Sequence, residues 1–297
     1  MRKSYTVVLL ALSLCCLASC GDDDGADEKY APTRQEQLLD SITLGNEAIL
    51  KMTYDSQRRA TSLLTGNGFQ DYFGYDSVMF SYPDPQTILV ERSQVETLLW
   101  NMRTRRTYRS VFHLSDGLIT SGKMDVSGTD VLKDSMTCEY SGGRLQSQTL
   151  YECFGDRVTL VCRRTFAWDD QDLSVVTAQD NEGQPYCTIR YAYQPTVAKA
   201  LLPCMSADYV EDNHKAYLTV LAAMGYFGAV SRDMVHEITI DYATPWRADY
   251  KAEYEITGHS DTGVQELYSQ WWQLHDDTLV SQYSYLQGQV LHWRQKR

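Results

Sequence analysis

Positive charge is scarce in this chain. It carries 27 Lys+Arg against 39 Asp+Glu over 297 residues, a formal charge of -12. Nucleic-acid binding needs a basic surface, so that class is excluded and no nucleic-acid partner is expected. The six histidines, His113, His214, His236, His259, His275 and His292, fall in no metal-ligand spacing. His236-Glu237 lacks the second His of a zinc protease helix. Asp169-Asp170-Gln171-Asp172 lacks the Gly and the closing Glu of an EF-hand and reads as a solvated turn. There is no G-x-S-x-G elbow, no P-loop and no dinucleotide glycine pattern. Asp276-Asp277 are adjacent turn residues, whereas a glycosidase pair needs carboxylates about 5 to 10 Å apart across a cleft. These gaps lead to three expectations: no catalytic residue, no bound metal and no cofactor. What is present is ordinary for a folded protein, 43% apolar and 22% charged, which excludes wholesale disorder.

The N-terminus reads as an address. Arg2 and Lys3 precede an uncharged apolar run over residues 6–17. That run is too short to span a bilayer, which takes about 20 helical residues, and it suits a secretory signal. It ends Leu17-Ala18-Ser19-Cys20, which resembles the lipobox of bacterial lipoproteins. The resemblance implies cleavage before Cys20 and acylation of its thiol, with residues 1–19 as signal peptide. More than one acyl chain would hold the protein firmly to a membrane without a transmembrane helix. Gly21 is followed by Asp22, Asp23, Asp24, Asp27 and Glu28, a self-repelling tract that stays extended. Residues 20–32 are therefore expected to form the lipidated Cys and an acidic tether. An acidic run directly after the lipidated Cys resembles the surface-export signal of Bacteroides-type lipoproteins. It implies an outer-membrane, cell-surface location in preference to the inner leaflet.

Residues 33–297 read as a single β-rich domain. The dominant signal is alternation. Tyr250, Ala252, Tyr254 and Ile256 share one face, as do Met136, Cys138 and Tyr140, and Ile238, Ile240 and Tyr242. Val158, Leu160, Cys162, Arg164, Phe166 and Trp168 are expected on one face of a longer strand. Such half-buried patterns belong to an antiparallel sheet. Gly-containing turns are expected to join the strands at residues 115–117, 141–143, 181–183 and 287–288. Phe112, Tyr140 and Trp168 end strands at intervals of 28 residues, with Tyr54-Asp55 and Tyr285-Leu286 as weaker copies. That interval suits two strands and two turns, so the fold class is an all-β antiparallel meander forming a curved sheet or open barrel. A helix is expected over residues 209–224, where Tyr217, Leu218, Leu221 and Met224 recur at helical spacing and Gly225 stops the run. It should pack against the open end or concave face of the sheet. A short helix over residues 33–39 is expected after Pro32.

Eight cysteines become one anchor, two lost with the signal, and five others: Cys138, Cys153, Cys162, Cys187 and Cys204. Five allow at most two disulfides. Cys153 and Cys162 flank a turn and could face each other, while mostly free, buried thiols are the expectation. The one binding hint is aromatic. Trp271 and Trp272 are adjacent in a strand-like run and must point to opposite faces, and Trp246 follows Thr244-Pro245 in a loop. These three are the candidate ligand-binding residues, as platforms for a sugar ring or a peptide.

Several segments together resemble a Bacteroides-type lipoprotein family, a domain of unknown function with a porin-like β fold. They are Tyr54-Asp55-Ser56-Gln57-Arg58-Arg59, Tyr140-Ser141-Gly142-Gly143-Arg144-Leu145, Tyr191-Ala192-Tyr193, the helix closing on Gly225-Tyr226-Phe227-Gly228, and Tyr283-Ser284-Tyr285-Leu286-Gln287-Gly288. The Tyr-Asp elements are also similar to the YD repeats of large secreted β-proteins. The resemblance spans residues 45–297 and departs from the pattern at Arg58-Arg59, where Gly-Arg is usual. It implies a porin-like fold and no assigned activity. A membrane-spanning strand needs about 9 to 11 residues with an apolar outer face. Many strands here look shorter, and a lipid anchor would be redundant for an integral barrel. The functional expectation is a lipid-anchored, non-catalytic binding or scaffold protein for glycan or another envelope protein. The rivals are a periplasm-facing carrier of a lipid or other apolar ligand, and a hydrolase.

Overall fold

Sixteen strands pair antiparallel in chain order and close on themselves. The computed structural model describes residues 38–44, 47–66, 75–98, 102–126, 133–169, 172–194, 216–229, 231, 234–243, 249–257, 264–275 and 278–294. The strands are β1 (Leu38–Leu44), β2 (Glu47–Tyr54), β3 (Ala60–Gly66), β4 (Tyr75–Asp84), β5 (Thr87–Leu98), β6 (Met102–Ser115), β7 (Leu118–Val126) and β8 (Lys133–Ser141). They continue as β9 (Arg144–Phe154), β10 (Arg157–Asp169), β11 (Asp172–Gln179), β12 (Pro185–Gln194), β13 (Met234–Tyr242), β14 (Asp249–Thr257), β15 (Val264–His275) and β16 (Thr278–Arg294). One helix, α1 (Ala216–Ala223), lies between β12 and β13. Among the described residues, the all-β meander with one helix is as expected. The sheet goes further than a curve, because β1 pairs with β16 from Leu38↔Arg294 to Leu44↔Gln289. Closure removes both sheet edges. The helix expected over residues 33–39 is corrected at Leu38 and Leu39, which begin β1 and are buried in the core. Residues 33–37 lie outside the described residues.

Alternation decides which side chains fill the barrel. Met136, Cys138, Phe166, Val176, Ile189, Ile238, Ile240, Ala252 and Tyr254 are buried inside. The six-residue face expected on β10 holds only from Cys162 onward. A bulge between Leu160 and Cys162 changes the register against β9, and a bulge turns the following alternation over. Val158 is consequently 63% exposed while Cys162 is 1% exposed.

The turns after β2, β4, β6 and β8 lie on one rim with the start of β1 and the end of β12, and α1 packs inside at that rim. Tyr217 of α1 is fully buried, its ring 6.2 Å from that of Phe112 and its hydroxyl 3.1 Å from Ser110 Oγ. Leu218, Val220, Leu221 and Ala222 are buried too. A helix apolar on every side suits a place within a core, not on a surface. Residues 209–215 of the expected helix lie outside the described residues. After α1 the chain crosses the rim. Tyr226 O accepts from Ile119 N at 2.9 Å, Ala229 N donates to Gly143 O at 2.8 Å, and Ser231 Oγ accepts from Leu173 N at 2.9 Å. Residues 216–229 and Ser231 thus plug one end of the barrel.

The 28-residue repeat has a physical basis at this rim. Tyr54, Tyr140 and Tyr193 donate their hydroxyls at 2.7 Å to Leu39 O, Ile119 O and Leu173 O. Tyr82 donates to Ala60 O and Trp168 Nε1 to Leu145 O, both at 2.9 Å. In every case an aromatic at the end of an even-numbered strand satisfies a carbonyl at the start of the strand before it. The matching position in β6 is Leu114, paired with Ile119, so Phe112 stands one inward step below the place that the repeat assigned to it. Leu114 has no side-chain donor, and its backbone amide bonds Gln86 O at 2.8 Å instead. We predict that Tyr54→Phe and Tyr140→Phe each cost about 1 kcal/mol, the net worth of one hydrogen bond. Tyr193→Phe should cost more, because its hydroxyl also lies 2.9 Å from Ser231 Oγ. Urea unfolding midpoints check this, and three unchanged midpoints would refute it.

Arg58-Arg59 keeps the turn despite its unusual sequence. Arg58 takes a left-handed φ of 65°, the conformation glycine favours. Asp55 Oδ1 accepts from Gln57 N and Arg59 N at 2.9 Å, and its Oδ2 accepts from Arg59 Nε at 2.8 Å. Partial burial works to raise the Asp55 pKa, and these bonds outweigh it, holding the carboxyl below its usual range.

Candidate functional site

The outer wall and the lumen differ in chemistry, and that difference locates the candidate site. Most strands have nine residues or more, up to 14 in β6 and 17 in β16. Many strands looked too short to span a membrane, and their observed length corrects that reading. Their outer face carries the decision instead. Arg109 pairs with Glu91, Arg190 with Asp241 and Lys251 with Glu237 across neighbouring strands, Arg163 reaches Glu139 over β9, and Lys251 also pairs with Glu253 along β14. A lipid-facing wall is an apolar band, and a charged side chain there is costly at mid-depth. These described stretches of wall do not form such a band.

Trp272 sits in that wall. Register pairs it with Lys251 of β14, and Trp272 is half-buried. Lys251 Nζ lies 6.0 Å from the centre of its ring, 2.8 Å from Glu237 Oε2 and 3.0 Å from Glu253 Oε1. Hydrogen bonds to the two carboxylates raise the Lys251 pKa. Three strands therefore bring together an indole, an ammonium and two carboxylates. Trp271 pairs with Ala252, which is buried in the lumen, so adjacent tryptophans stand at positions of opposite faces. Nothing more is described of Trp271, and Trp246, Cys20 and Cys204 lie outside the described residues, as do Asp276-Asp277. His236 Nδ1 is 3.3 Å from Tyr254 O, a contact between strands β13 and β14.

Several solved structures match the chain. One of them is a porin-like protein from Bacteroides uniformis, 11% identical, at a TM-score of 0.43, covering 78% of this chain and 94% of that one. No family model and no curated protein matches the sequence.

The lumen holds a polar row that sequence reasoning did not single out. Cys138, Gln148, Arg164, Ala178 and Cys187 are successive register partners across β8 to β12. Arg164 is 1% exposed, and its Nη1 donates to Gln148 Oε1 at 2.8 Å. Alternation along β10 places Arg164 inside, and that was the available signal. Arg92 is likewise buried, stacked 4.2 Å over the Tyr108 ring.

Among the described residues, Cys138, Cys153, Cys162 and Cys187 carry thiols not joined in a disulfide. Cys153 and Cys162 do not face each other, because Cys153 pairs with Val158 and Cys162 with Leu150. Burial pushes the Cys138 thiol up to about 12, and burial also raises the pKa of Tyr82 and Tyr193. The folded state therefore holds these protons more tightly than the unfolded chain. Their contribution is complete below the ordinary values of 9.0 for the thiol and 10.0 for tyrosine, and it falls as pH rises beyond them. We predict a steadily falling urea midpoint above pH 9, with half-buried Cys153 reacting with a thiol reagent before Cys138. A midpoint flat to pH 11 would contradict it.

Proposed function

We propose that this chain is a membrane-anchored, cell-surface lipoprotein whose barrel is a non-catalytic, water-facing scaffold that binds glycan on its outer wall. The anchor would be acylated Cys20 and the tether the acidic tract behind it. The observation that carries the binding role is Trp272 in the charged wall, beside Lys251, Glu237 and Glu253. An indole face packs against the C–H face of a sugar ring, and the ammonium and carboxylates are donors and acceptors for its hydroxyls. The carrier reading has α1 itself at the apolar end of the lumen, where a lipid would otherwise sit.

A glycan and lipid array tests the reading, probed with the mature chain and with Trp272→Ala. Trp272→Ala should weaken glycan binding about thirtyfold, the effect of losing a central aromatic contact worth about 2 kcal/mol. Binding only to lipids would eliminate the proposal. Protease treatment of intact cells tests the location, and a fully protected protein would refute surface exposure.

A further inference from the structure

Among the described residues, Leu64, Met79, Phe154, Val158 and Val161 are the exposed large apolar side chains. Three of the five belong to one hairpin, β9–β10. Phe154 and Val158 are 59% and 63% exposed, on either side of a two-residue turn at the rim opposite the plug. The turn is open to its surroundings, since a Cβ added at Gly155 would meet nothing within 4 Å. Arg157, exposed, is the register partner of Phe154. Phe154 and Arg157 share one face of the tip and Val158 lies on the other, so exposed apolar side chains and a cation surround the turn.

We propose that the β9–β10 hairpin docks into the headgroup layer of a lipid bilayer, with Phe154 and Val158 entering the acyl boundary and Arg157 meeting lipid phosphate. The proposal rests on the membrane-anchored reading. Two arguments favour a bilayer over a protein partner. The patch is a tip of a few side chains, far below the roughly 800 Å² per partner of a stable protein interface. A bilayer, in contrast, takes up a small apolar tip readily once a tether keeps it at high effective concentration. Reach is the second argument. The eighteen residue steps from Cys20 to Leu38 span about 60 Å when extended. The 14 residues of β6 rise about 45 Å. The chain enters at the plugged rim, and its tether is long enough for the opposite rim to face the membrane.

The full acylated chain, on phosphatidylethanolamine–phosphatidylglycerol vesicles containing a photoreactive acyl-chain lipid, provides the test. Illumination should place lipid adducts on residues 151–161. Phe154→Ser/Val158→Ser should carry about tenfold fewer, given the apolar area withdrawn, while still pelleting with the vesicles and melting as the parent does. Adducts elsewhere, or adducts unchanged by the double substitution, would overturn the docking. Absence of hairpin adducts, with an added bifunctional reagent joining the hairpins of two protein chains instead, would overturn it in favour of a second copy. A chain that fails to pellet, with an unmodified Cys20 by mass spectrometry, would remove the anchored reading itself.

Discussion

Gly228→Ala should lower stability by about 3 kcal/mol, combining the strain of a left-handed alanine, a steric clash and a lost hydrogen bond. Gly228 has a φ of +93°, and a Cβ there would lie 2.4 Å from Gly143 O. The obstacle is a backbone carbonyl in a tight hairpin, with no rotamer to relieve it. The same carbonyl accepts Ala229 N at 2.8 Å, and Gly228 forms a β-bridge with Arg144. Moving the chain away therefore removes the contacts that hold the plug to the β8–β9 turn. For a barrel of this size the loss corresponds to a Tm lower by roughly 6–12 °C. Amide exchange should show where it acts. Residues 216–231 should exchange faster, while β15 and β16, whose pairing does not involve the plug, should change least. An unchanged Tm would mean that the plug is held by α1 alone.

Much of this architecture was legible because period-two alternation is a local signal. Met136, Cys138, Ile238, Ile240, Ala252 and Tyr254 all took the inward positions that their spacing required. The rim repeat was legible in part. Tyr54, Tyr140 and Trp168 share a hydrogen-bond task at strand ends, and Tyr82 and Tyr193 share it without having been counted in the repeat. The strand end and turn expected at residues 285–288 fall inside β16. Bulges were not. The shift at Leu160/Cys162 leaves no mark in composition, and it turned Val158 from an expected core residue into an exposed one. Closure was not legible either, because the pairing of β1 with β16 joins residues at opposite ends of the fold. At the candidate site, alternation placed Trp271 and Trp272 on opposite faces. The ammonium and carboxylates around Trp272 come from two other strands, and only the register of β13 to β15 brings them together. Arg58 shows a different limit. A left-handed turn residue is normally written as glycine, and here the Asp55–Arg59 bonds hold the turn with arginine.

Gly122→Ala is the second large effect, and its cause is a crowded core instead of a strained backbone. Gly122 pairs directly with Phe112 across β6 and β7. A Cβ at Gly122 would lie 2.5 Å from Phe112 Cδ1 and 2.8 Å from Cε1, with Met136 Cγ at 3.5 Å. Phe112 covers the glycine and cannot retreat, because it is fully buried and its ring lies 6.2 Å from that of Tyr217. Displacing it pushes on α1 and on the Tyr217–Ser110 contact of 3.1 Å. The expected loss is about 2–3 kcal/mol, typical of overpacking in a dense core. A double-mutant cycle isolates the cause. Phe112→Leu alone should destabilise by about 1–2 kcal/mol, the transfer and cavity cost of a smaller apolar side chain in the core. Added to Gly122→Ala it should recover part of the loss, since a smaller side chain yields the space that the new methyl needs. Residues in contact depart from additivity in this way, by about 0.5 kcal/mol or more. If the two losses simply add, the penalty at Gly122 comes from the strand backbone and not from the Phe112 ring.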